Sequence, residues 1–141
     1  MHHIIRLFAV LFLFLSALAA FFSERDTKSF CLNGYTVPDE LTYFSELNGV
    51  SANDPVAFVL IGMIAFLFSI ILIFIKNKMA FFIVMLFCYL LIFWATGFIE
   101  SSTAYQMIHD SILYCHNMML IVWLVGLWFS FVFSLIYLKI E

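Results

Sequence analysis

Four stretches of the chain lack any Asp, Glu, Lys or Arg: Leu7–Phe22, Val56–Ile75, Met79–Ile99 and Ile112–Leu138. Charged residues make up only 11% of its 141 residues, and there are two prolines, five glycines and three cysteines. Each scarcity argues against something. Proton relays, coupled transporters and voltage sensors place ionisable groups at mid-membrane despite the energetic cost, and none lies in the middle of these runs. Helices interrupted by Gly or Pro, which form midplane substrate sites in transporters, are missing as well. No polar stripe follows any run, so nothing would wet a pore. There is no Ser/His/Asp arrangement, phosphate-cradling glycine loop or carboxylate pair, and the chain is not expected to be an enzyme. No C-x-x-C pair supports a quinone-linked disulfide oxidase or a mercury transporter. A clustered basic surface, which nucleic acid requires, is also lacking.

What is present is hydrophobic: 66% of the residues, with a mean hydropathy of +1.13. Soluble domains are roughly half apolar. A helix of about 20 apolar residues crosses ~30 Å of hydrocarbon, so the four runs read as four membrane spans. Their expected limits are about 4–22, 55–76, 79–99 and 112–138, joined in one polytopic domain over 1–141 with an external loop at 23–54. The expected fold is an all-α, four-transmembrane-helix bundle lying in the lipid bilayer.

The charges sort by side. Arg6, Lys76, Lys78 and Lys139 fall at one end against Glu141 alone, while eight acidic residues and only Arg25 and Lys28 fall at the other. Basic residues of short loops stay cytoplasmic, which puts both termini inside and the loop at 23–54 outside. A bacterial inner membrane is the expected location. The first run resembles a secretory signal, with Ala17-Leu18-Ala19 in place of a cleavage site. It continues through Phe21 and Phe22, so a retained signal-anchor helix is expected. Asp54 and Pro55 should open the second span as N-cap and first helical residue. The fourth run is long enough to tilt, or to start as an interfacial turn. Trp123 and Trp128 read as packing groups.

The loop at 23–54 carries Asn33-Gly34 between short strand-like runs, a hairpin signal. A helix over Pro38–Leu47, capped by Thr36 and ended by Asn48-Gly49, would then make it a small lid. Cys31 and Cys115 both fall at the acidic end and could form a disulfide in an oxidising compartment. Cys88 sits mid-span and reads as a buried thiol. Small residues recur at helical spacing, as Gly126, Ser130 and Ser134 on the fourth span and as Gly62, Ala65 and Ser69 on the second. Ser16 and Ala20 continue the pattern on the first. Helices approach closely at such faces in lipid, within the bundle or against a partner's helix. His109 and His116 are seven residues apart, on one face if a single helix contains both, and imidazole is an ordinary metal ligand. No bound cofactor is expected.

Three functional classes fit these features. The first is a small membrane protein that binds a membrane-active partner protein through transmembrane helices and the outer loop. Its concrete version is an immunity protein against a pore-forming toxin. The second is an accessory subunit of a respiratory or secretion complex, docked through Gly126, Ser130 and Ser134. The third is a cofactor or metal protein using His109 and His116.

Overall fold

A computed structural model of the chain describes residues 2–24, 28–47, 53–100 and 102–140. Helix α1 (His2–Phe22) is followed by strands β1 (Cys31–Asn33) and β2 (Leu41–Tyr43) and a 3-10 turn at Phe44–Glu46. Helices α2 (Val56–Phe74), α3 (Lys78–Thr96), α4 (Ala104–Leu113) and α5 (Met118–Lys139) complete the order. α1, α2, α3 and α5 are each long and apolar enough to cross a membrane, the signature of an integral membrane protein. At 1.5 Å per residue, a helix of 19 residues such as α2 reaches nearly across ~30 Å of hydrocarbon.

α1 is the central helix, packed against both α5 and α2, while α3 closes on α2 and less extensively on α5. Small side chains explain that position. Ala9, Leu13, Ser16, Ala17 and Ala20 on α1 are all fully buried. Gly62 faces them from α2, where an added Cβ would lie 3.1 Å from the Ala17 carbonyl oxygen. Gly126 does the same from α5, with the Phe12 carbonyl and the Ser16 Cβ each 3.0 Å away. Association in lipid relies on such contact, because the solvent is as apolar as the side chains. Towards the basic end from it, phenylalanines stack between α1 and α5, with Phe12–Phe129 centroids 5.2 Å apart and Phe8–Phe133 5.6 Å. Several polar groups within the spans donate to backbone carbonyls: Ser16 Oγ to Trp123 O at 3.0 Å, and Tyr89 Oη to Leu127 O at 2.7 Å.

Of the two shapes expected for the fourth apolar run, a tilted helix or one that starts with a turn, the second is observed. Ile112 and Leu113 end α4, the chain breaks at 114–117 with His116 at φ 52°, and the spanning helix starts at Met118. The break is stabilised: Asn117 N–H donates to the Ser111 carbonyl at 3.0 Å, and Tyr114 N–H to Asp110 O at 2.9 Å. At the other helix starts, Asn77 Oδ1 caps α3 by accepting from Met79 and Ala80 N–H, and Thr103 Oγ1 caps α4 through Gln106 N–H. α2 begins without a side-chain cap, its N-cap being Pro55, and the Asp54 carboxylate accepts from Glu100 N–H at 3.0 Å, tying together two connections of the acidic end.

The expected helix over 38–47 is absent. A hairpin stands there instead, with Leu32 opposite Thr42, and its loop spans Gly34–Glu40 rather than the two residues of an Asn-Gly turn. Gly34 (φ 70°) and Asp39 (φ 61°) bend the ends of that loop, and Gly34 N–H donates to Glu40 O at 3.0 Å. Thr36 caps nothing helical; its hydroxyl hydrogen-bonds that of Thr42 at 2.8 Å. Asn48-Gly49 lies outside the described residues. Trp128 is 72% exposed on α5, so it faces the surroundings of the bundle, whereas Trp123 is buried as a packing group. Cys88 is fully buried on α3.

Candidate functional site

The charge-rich ends differ in construction. At the basic end, the Arg6 guanidinium donates to Ile75 O at 3.0 Å, Lys78 Nζ donates to Ile140 O, and Tyr137 Oη donates to Lys76 O at 3.1 Å. These side chains satisfy carbonyls at the C-terminal ends of α2 and α5, where unpaired C=O groups and the helix dipole favour cations.

The acidic end carries a folded cap. Its floor is aromatic: Phe30 packs at 6.4 Å on Phe44 and at 5.1 Å on Phe58 of α2, which meets Trp123 of α5 edge-on at 5.3 Å. Strand β1 lies between β2 and α4. On the α4 side its N–H groups would be an exposed strand edge, but Cys31 N–H donates to Ser111 Oγ at 3.2 Å and Asn33 N–H to Asp110 Oδ2 at 3.0 Å. Asp110 Oδ1 lies 3.0 Å from His109 Nδ1, so the buried carboxylate has partners on both oxygens. The His109 ring in turn stacks on Tyr105 at 5.7 Å. Asn117 is the second clamp, its side-chain amide donating to Ser23 O at 3.0 Å and Ser29 O at 2.9 Å. The Cys31–Cys115 disulfide, with Cα atoms 6.3 Å apart across 84 positions, joins β1 to the break before α5. Desolvation by the protein around it raises the Glu24 carboxyl above its ordinary 4.5, although that side chain still meets water.

The sequence-derived candidates separate on this frame. Gly126, Ser130, Ser134, Gly62, Ala65 and Ser69 all lie inside the bundle, the serines and Ala65 at 2% exposure or less. The structure places them against other helices of this chain. His109 and His116 do not share a helical face, because α4 ends at Leu113 and His116 occupies the left-handed turn beyond it. Among the described residues no group of three or more His, Cys, Asp or Glu could hold a metal ion. Asp110, Ser111 and Asn117 hold the cap together, a role the sequence reading did not assign. One signal was available: Thr103-x-x-Gln106 is a capping-box pattern that marks the start of α4. Trp123 Nε1 is the one buried side-chain polar atom without a hydrogen-bond partner among the described residues.

No protein-family model, curated protein or solved structure matches the chain. The class rests on fold and chemistry alone: an integral membrane protein with four helices long and apolar enough to span the bilayer, and a disulfide-braced cap at its acidic end.

Proposed function

We propose that the chain is a non-enzymatic protein of a bacterial inner membrane that binds a membrane-active partner protein through its cap. An immunity protein against a pore-forming toxin is the concrete form of this reading. In the proposed orientation the basic end and both termini are cytoplasmic and the cap is outside, following the distribution of Lys and Arg in the short connections. The observation that carries the reading is the bracing of one exposed loop. Gly34–Glu40 is exposed throughout and presents Tyr35 and Val37 beside Asp39 and Glu40. Behind it stand the disulfide, the Asp110 and Ser111 bonds to β1 and the Asn117 clamp. A surface held in shape before binding avoids the entropy of ordering it afterwards, and a mixed aromatic and acidic tip suits a partner with cationic and apolar groups.

A second reading is favoured by the groove between α3 and α5, which is lined by Tyr89, Leu127, Trp128 and Phe131. There the chain is an accessory subunit whose groove receives a helix of a larger complex. Affinity purification in mild detergent, with wild type beside Tyr35→Ala/Val37→Ala and Trp128→Ala variants, separates the two. The cap reading expects a membrane-active partner that the tip variant loses at least about tenfold. Recovery at fixed stoichiometry that only Trp128→Ala disturbs supports the subunit reading, and a chain that purifies alone defeats both.

A further inference from the structure

The geometry points to a second site: a cleft of about 280 Å³ between the end of α1 and the start of α5, which takes the anionic phosphate headgroup of a membrane lipid. Its position comes first. Phe22 closes α1 and Met118 and Met119 open α5, so the cleft opens where two spanning helices leave the apolar layer. Those three side chains form an apolar floor and are each at least 40% exposed, so an acyl chain can lie against them from the lipid side.

The walls have the opposite character. Lys28 and His116 line the cleft together with Ser23 and Ser29. The surrounding surface is acidic, yet Lys28 has no carboxylate within ion-pair distance among the described residues. Its ammonium lies 5.5 Å from the centroid of the Tyr43 ring, a contact that positions the cation without neutralising it. An ammonium offers charge-assisted donors to a phosphate oxygen, and a neutral imidazole still carries one ring N–H. The long grooves on the spans differ in kind, since the one lined by Leu7, Phe14, Phe66 and Ile73 has almost no polar lining.

The walls are also fixed. Asn117 fastens both Ser23 and Ser29 through their carbonyls, and Cys115, another lining residue, is held by the disulfide. At the small end of ligand pockets, which start near ~300 Å³, the cleft has room for a headgroup but not a whole lipid. The acyl chain therefore remains in the bilayer while the headgroup is gripped at its edge.

Native mass spectrometry of the purified protein tests this with phosphatidylglycerol and phosphatidylcholine of identical acyl chains, and with inorganic phosphate. Wild type should retain one phosphatidylglycerol at least about tenfold more than phosphatidylcholine. Lys28→Gln/His116→Asn should fall to the phosphatidylcholine level at an unchanged unfolding temperature, since both side chains are exposed and Asn tolerates positive φ. Lys28→Arg keeps the charge and should keep the lipid, which provides a readout even if the double variant fails to fold. Equal retention of the two lipids by wild type would overturn the assignment, as would undiminished phosphatidylglycerol on a folded double variant. Complete displacement by millimolar inorganic phosphate would reassign the cleft to a free anion and overturn the lipid proposal.

Discussion

The two ends of the bundle solve the same problem with very different amounts of chain. Each must satisfy the backbone groups left over where spanning helices stop. At the basic end single side chains do this: Arg6, Lys78 and Tyr137 each reach a carbonyl at a neighbouring helix end, and Asn77 caps the start of α3. The cations of this end thus also close the helices. At the acidic end carboxylates cannot serve the C-termini of α1 and α3, because C-terminal carbonyls want donors. The chain instead builds a hairpin, a ten-residue helix and a disulfide, with its own buried aromatics Phe30 and Phe44. That elaboration goes beyond what the helix ends require, and the proposed partner-binding surface is built on it.

Several substitutions break or sharpen that contrast. The largest effect should come from Gly126→Leu, which removes the platform both ends share. A Cβ alone would already meet backbone and Ser16 at 3.0 Å, so the bundle cannot close without parting α1 from α5. A cost above ~3 kcal/mol is expected, at the upper limit for overpacking, read as loss of folded protein in a detergent unfolding titration. Unaltered stability would defeat the packing account. Next, Cys31→Ser/Cys115→Ser should cost ~2–3 kcal/mol, acting on the acidic end alone. Proteolysis within Gly34–Glu40 should accelerate while cleavage at the Lys76–Lys78 turn stays slow.

Asp110→Ala removes the acceptor of Asn33 N–H and the partner of His109 without touching the disulfide. A loss of ~1–3 kcal/mol is expected, visible as faster amide exchange in β1. Arg6→Gln tests the simpler end and should cost only ~0.5–1.5 kcal/mol, since the new amide can still donate to Ile75 O. The smallest effect concerns pH. Because the Glu24 carboxyl is raised, the folded chain binds more proton than the unfolded chain between 4.5 and the raised value. Stability should therefore fall slightly as pH rises through that window, and Glu24→Gln should flatten the slope of unfolding temperature against pH.

The sequence made the spanning helices legible because charge is costly in hydrocarbon and leaves sharp edges at Arg6, Lys76 and Lys139. It was less informative where apolar composition continues through a change of direction. Ile112–Leu138 is one uncharged run, yet the helix breaks within it, and only His116-Asn117 hints that the backbone turns. In the loop, Asn33-Gly34 correctly marked a hairpin but misled about its length, since Pro38 and the left-handed Asp39 extend the turn to Glu40. The small-residue faces were visible, but whether they served this chain or a partner depended on α1 lying between α2 and α5. The roles of Asp110 and Ser111 depend on β1 passing within hydrogen-bond reach, a distance no spacing in the sequence encodes.

The proposed orientation puts the cap in an oxidising compartment, where the Cys31–Cys115 disulfide would persist. Alkylation with a mass-tagged maleimide, on denatured protein taken directly from intact cells, measures this most directly. The account predicts one tag without reductant, at Cys88, and three after reduction; three tags in both conditions would contradict it.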